Sequence, residues 1–214
     1  MGFKEKQIVT IGLLEYMKWD WLNTVHRLAC HYDSIGKELN DMTIFSYSCS
    51  GGILYRSLGL QFKSPFINMR VPEKDFLRFL HFPREYMQAP LKLVDAAQDV
   101  ENSYYPIFSL YDIKVHMVHY HDFQQAAEKW EERKQRINWE NIFVMMGTDS
   151  WYIADEFDSL PYKHKACIVP FATKLKSCIT IDKVEEDDIY NMVLEIARGK
   201  YPRYYQALLQ KMRE

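Results

Sequence analysis

No C-x-x-C pair occurs among the four cysteines of this chain, Cys30, Cys49, Cys167 and Cys178. Zinc ribbons are built from such pairs, and four scattered cysteines make no dense secreted disulfide framework, so reduced thiols in a cytoplasmic protein are the expectation. Long apolar runs are also missing. The N-terminal stretch from Ile8 to Leu14 meets Glu15 well short of the roughly 20 apolar residues that a spanning helix needs. No small-residue cleavage site follows it, so neither a transmembrane segment nor a signal peptide is expected. An excess of positive charge is absent too: 27 basic residues face 29 acidic ones, for a formal net charge of −2. That balance gives no electrostatic pull toward nucleic acid. There is no Asp-x-Asp pair, no internal repeat and no low-complexity segment.

What is present is apolar and aromatic. Hydrophobic residues make up 48% of the 214 positions and aromatic ones 15%, enough for a continuous core in a single domain. From about Leu13 to Leu39, Leu14, Met17, Trp21, Val25, Leu28 and Tyr32 recur at three- and four-residue steps, as on an amphipathic helix or a broken pair of helices. Trp19 sits off that stripe, and the Trp19 and Trp21 side is a candidate docking surface.

The remainder alternates between strand and helix patterns. Thr43 to Tyr47 reads as a strand, and the segment up to Leu58 as a short helix stopped by Gly59. A helix is expected after Pro72, strands at Leu91 to Val94 and Ile113 to Met117, and a helix capped by Asp122 that carries Ala126 and Trp130. Asn141 to Met146, Ala166 to Val169 and Cys178 to Ile181 read as strands, with helices at Trp151 to Phe157, Val184 to Ala197 and Tyr201 to Arg213. This succession is the α/β pattern. It divides the single domain into an N-terminal helical extension over 1–41, a core sheet over 42–182 and C-terminal helices over 183–214.

The chemistry-bearing stretch is Ser46 to Tyr55, where small polar residues and Gly51 and Gly52 join a strand to a helix. A glycine pair lets the backbone take positive φ or lie close to another group, and the first-turn N–H groups of a helix suit an anion or an oxyanion. The same residues also fit a plain strand-to-helix turn with a buried thiol. Ligands of open α/β sheets gather at the carboxyl ends of the strands, so the loops after Tyr47, Met117 and Met146 are expected to converge. They carry Cys49 or Ser48 as nucleophile, His119 as base and Asp149 as its orienting carboxylate, with Gly51 and Gly52 amides as oxyanion donors and His116 as a further catalytic candidate. His116, His119 and His121 raise a metal reading, but their spacing matches no zinc motif and no metal is expected. Arg133 and Arg136 either bind phosphate or form a solvated helix face with Glu132.

Residues in five blocks carry a family resemblance. They are Ser46, Cys49, Gly51, Gly52, Tyr55, Leu58 and Gly59; Ser64, Pro65, Ile67 and Asn68; Asp112, Val115, His116, His119 and Tyr120; Trp130, Arg133, Arg136, Asn138 and Asn141; and Phe157, Leu160, Pro161, Tyr162 and Lys165. In these the chain resembles a bacterial family of undetermined function, DUF nineteen-nineteen, whose members are often labelled exopolysaccharide or capsule biosynthesis proteins. The sequence departs from the family pattern at Tyr47, Ser48 and Ser50, and at Ser150 and Trp151. The resemblance implies a three-layer α/β/α sandwich with a mostly parallel sheet and a link to polysaccharide assembly. The small-residue loop around Cys49 is also similar to that of acyltransferases that use coenzyme A. The function expected is therefore transfer to a sugar or activated sugar, by acyl transfer from coenzyme A or by glycosyl transfer from a nucleotide sugar. The alternative is a non-catalytic scaffold that binds other polysaccharide-assembly proteins.

Overall fold

The structure, a computed structural model, describes residues 39–98, 103–182 and 188–214. The helix expected from Leu13 lies outside them up to residue 38, as do the Trp19 and Trp21 side, Cys30 and the acidic residues 185–187. In chain order the elements are β1 (Thr43–Ser46), α1 (Ser50–Leu58), α2 (Glu73–His81), α3 (Pro83–Gln88), β2 (Lys92–Gln98), β3 (Tyr104–Leu110), β4 (Ile113–His116), α4 (Phe123–Lys134), β5 (Ile142–Gly147), α5 (Trp151–Ser159), β6 (His164–Val169), β7 (Cys178–Thr180), α6 (Ile189–Ala197) and α7 (Pro202–Arg213).

Strand β1 forms where β-branched and aromatic residues cluster, and all four of its residues are buried. Alternate side chains then choose opposite partners. Ile44 and Ser46 face α1, which lies so close that a Cβ on Gly51 would stand 3.0 Å from the Ser46 Cβ. Phe45 points the other way and meets Phe66, Phe79 and Trp139 edge to face. The principal sheet has the order β1-β5-β6-β7 and every pairing in it is parallel. Helices α1, α6 and α7 pack together on the Ile44 face, while α2 and α5 pack together on the Phe45 face. These are the three expected α/β layers.

The segment at Ile113 is a strand as expected but belongs elsewhere. β2, β3 and β4 make a second, antiparallel sheet. Only Tyr111 and Asp112 separate β3 from β4, and Tyr111 turns the chain with a φ of 53°. So short a connection makes a hairpin, whereas a parallel neighbour needs a crossover of a dozen residues or more. Strand β2 also runs on to Gln98, beyond the Val94 at which the strand was expected to end.

Two consecutive residues tie the sheets together. Arg70 exchanges both backbone hydrogen bonds with His116, each 2.8 Å, and the Val71 N–H donates to the Tyr47 carbonyl at 2.7 Å. The loop after β4 is thereby held beside the loop after β1. Of the three loops expected to converge, those after β1 and β4 are brought together by this bridge between two sheets, and the loop after β5 adds no residue to the cleft they share.

Candidate functional site

Cys49 ends the turn out of β1 and caps α1 with its backbone, its carbonyl accepting the first helical hydrogen bond from the Ile53 N–H at 3.1 Å. Helical spacing then sets Cys49, Gly52, Ile53 and Arg56 on one face. On α6, Tyr190, Leu194 and Arg198 form a second stripe at four-residue steps. The two stripes, with Phe62, Asn68, Arg70, Val118, His119 and His121, line a cleft of about 740 Å³. None of the described residues that line it is a carboxylate, while three are arginines and two are histidines.

Glycine works here through space more than through conformation. Neither Gly51 nor Gly52 has positive φ; Gly51 lets α1 settle on β1, and a Cβ on Gly52 would stand 3.3 Å from Ile67. The positive φ in the cleft wall is at Asn68, at 62°, a conformation that asparagine accepts more readily than most residues. It presents the next carbonyl, that of Met69, which accepts from the Cys49 Sγ at 3.8 Å.

Burial is the main influence on the thiol. Cys49 is only 9% exposed, and removal from water pushes it up to about 11, against a hydrogen bond from Tyr190 and the charge of Arg198 that favour the thiolate. At neutral pH it is a thiol and needs a base to become a nucleophile. Tyr190 is pushed up as well, chiefly by burial. The Arg70 guanidinium sits over the Tyr190 ring, 5.3 Å from its centroid. Arg198 pairs with Glu195, which also pairs with Lys200.

Of the residues singled out from sequence, Cys49, Gly52, His119 and His121 line this cleft. The others stand apart from its lining. Ser48 is buried in a chain of hydroxyls, with its Oγ 2.8 Å from that of Ser50, which is 2.7 Å from that of Ser46. Asp149 is exposed beyond β5, near Glu73, whose carboxylate accepts from the Thr148 hydroxyl at 3.1 Å. His116 is half-buried against Tyr105 and held below the usual imidazole range, first by burial and then by the charges of Arg70 and Lys114. Arg133 donates to the Tyr120 hydroxyl at 2.6 Å and lies over the Phe62 ring, and Arg136 pairs with Glu132. The two arginines thus join α4 to neighbouring loops. Among the described residues no cluster of three or more His, Cys, Asp or Glu is arranged to hold a metal.

Arg56, Arg70, Asn68, Tyr190 and Arg198 were not identified from sequence as site residues. Steps of four in α6 and of three and four in α1 were readable, but which helix faces which is a property of the packed fold. Among the described residues no helix is long and apolar enough to cross a membrane.

The chain is 32% identical over 170 residues to an uncharacterized protein of Haemophilus influenzae, covering 77% of this chain and 79% of that one. Residues 29–211 match the profile of the family described as "Domain of unknown function (DUF1919)". Cys49, Asn68, Arg70, His119, Tyr190 and Arg198 all fall inside the matched span, and the chain belongs to the DUF1919 family.

Proposed function

We propose that this protein is a transferase of exopolysaccharide or capsule biosynthesis whose cleft binds a phosphate-bearing activated donor and passes its group to a sugar hydroxyl. The observation that carries this reading is the lining itself: Arg70 and Arg198 beside Cys49 at the start of α1 and Arg56 in its last turn, with no carboxylate among the described lining residues. Guanidinium groups bind phosphate oxygens in pairs, and the first-turn amides of a helix add partial positive charge. Coenzyme A and the UDP- and GDP-sugars share a diphosphate, so both fit this chemistry.

Acyl transfer accounts for the most residues. His119 takes the Cys49 proton as the sulfur attacks the thioester carbonyl. The Gly52 amide stabilises the oxyanion, and coenzyme A leaves as its thiol after taking up the proton. The sugar hydroxyl then attacks acyl-Cys49, restoring the thiol. Ser48 and Asp149 have no step in this scheme, because one is sealed in its hydroxyl chain and the other stands outside the cleft lining.

The scheme is tested by incubating the protein with acetyl-coenzyme A and measuring its intact mass. One acetyl group mapping to Cys49, absent in Cys49→Ala and slow to form in His119→Ala, supports it. Turnover without any acyl-protein, undiminished in Cys49→Ala, rejects the covalent step. A nucleotide sugar that binds where coenzyme A does not would favour glycosyl transfer.

A further inference from the structure

Strands β6 and β7 set Cys167 directly opposite Cys178, in a register fixed by the Cys167 N–H donating to the Ser177 carbonyl at 2.9 Å. Residues opposite one another in a sheet project to the same face, and neighbouring strands lie about 4.8 Å apart. That spacing falls inside the roughly 4.4–6.8 Å between Cα atoms that a disulfide spans. Both residues are free thiols, and each is the largest influence on the other's proton affinity. Their surroundings differ: Cys167 is fully buried, while Cys178 is half-buried on the strand that ends the sheet order. None of the steps assigned to the cleft uses either thiol.

We propose that Cys167 and Cys178 are a reversible dithiol–disulfide pair, oxidised by a low-molecular-weight disulfide of the glutathione type, which locks β7 to β6. Cys178 attacks first as its thiolate. Its bond to one glutathione sulfur forms as the glutathione disulfide bond breaks, releasing one glutathione thiolate. Cys167 then loses its proton and attacks the Cys178 sulfur, expelling the second glutathione thiolate. Two electrons pass from the protein thiols to the reagent, and reduced glutathione reverses both exchanges. The order follows from exposure and from the effect of each thiol on the other. The neighbouring Cys167 holds the Cys178 thiol below its ordinary value, while Cys178 and burial push Cys167 up. Cys49, pushed up by burial to about 11, is a poorer attacking group at neutral pH.

The test equilibrates the full chain across ratios of oxidised to reduced glutathione, quenches with acid, alkylates the remaining thiols and maps the peptides. A Cys167–Cys178 link is expected that appears and disappears with the ratio while Cys49 stays alkylatable. In Cys167→Ala, glutathione should remain on Cys178. The pair is ruled out if both cysteines stay alkylatable under the most oxidising ratio, or if wild-type Cys178 keeps its glutathione beside a free Cys167. The wild-type map decides the matter even if the variant does not fold.

Discussion

Tyr190 on α6 and Cys49 at the start of α1 line the same cleft from its two helical walls, and the Tyr190 hydroxyl favours the Cys49 thiolate. The arrangement favours the thiolate, but burial outweighs it, so the sulfur is held protonated until a base acts. The electrostatics of the cleft therefore depend on how α6 is seated.

Modification of Cys49 by iodoacetamide should be slow at neutral pH and should accelerate with pH toward about 11, the value to which burial pushes the thiol. Tyr190→Phe keeps the ring but removes a hydrogen bond that favours the charged form, so it should move the inflection higher. An inflection near the ordinary thiol value, about 8.5, would contradict the burial argument.

The seating of α6 rests on Gly147 at the end of β5. A Cβ there would stand 2.3 Å from Val193 Cγ2 and 3.2 Å from Ile189 Cγ1. Gly147→Ala is expected to cost about 1–3 kcal/mol by overpacking. Adding Val193→Ala should recover part of that loss, measured as a coupling energy in urea denaturation. Strict additivity of the two changes would show that α6 does not rest on this glycine.

Glu73 is raised above the ordinary carboxylate range, chiefly by burial and against the hydrogen bond from Thr148. Its folded value therefore lies above its unfolded one, and the folded protein holds the proton more tightly. Stability from this group is present below the unfolded value, about 4.3, and is lost as pH rises through the raised folded value. Glu73→Gln should flatten that part of the profile, with the variant gaining on the wild type toward neutral pH. Parallel melting curves for the two proteins between pH 4 and pH 7 would contradict it.

Arg133 donates to the Tyr120 hydroxyl at 2.6 Å and to the Ile67 carbonyl at 3.4 Å, and it lies over Phe62. Arg133→Ala should cost about 1.5–3 kcal/mol of stability, the usual range for hydrogen bonds from a charged group. It should leave donor binding measurable in the folded fraction. Loss of binding without loss of stability would make Arg133 a ligand residue instead.

The elements were legible where local pattern and burial agree. Asp122 accepts from the Gln125 N–H at 2.9 Å as an N-cap should, Gly59 ends α1 with a φ of 67°, and Phe143 to Met146 form a fully buried run. Sheet membership was less legible, because Ile113 to His116 has the alternation of any half-buried strand. Only the two-residue turn at Tyr111 and Asp112 assigns it to a hairpin. Within the site, Cys49 and His119 were found from residue type, since both lie in loops after strands. Tyr190 and Arg198 were not, because their role depends on α6 folding back on α1 across more than 130 residues of chain.

The central claim is that the arginine-lined cleft holds a diphosphate. The most direct measurement is a thermal-shift titration of the wild type, Arg56→Ala and Arg70→Ala with coenzyme A, acetyl-coenzyme A and UDP- and GDP-sugars, because a ligand bound only by the native state raises stability by mass action. The account predicts a saturable rise in Tm with coenzyme A or a nucleotide sugar, weakened at least tenfold in apparent affinity by either substitution, about 1.4 kcal/mol. No rise with any of these ligands, or a rise that both variants retain undiminished, would contradict it.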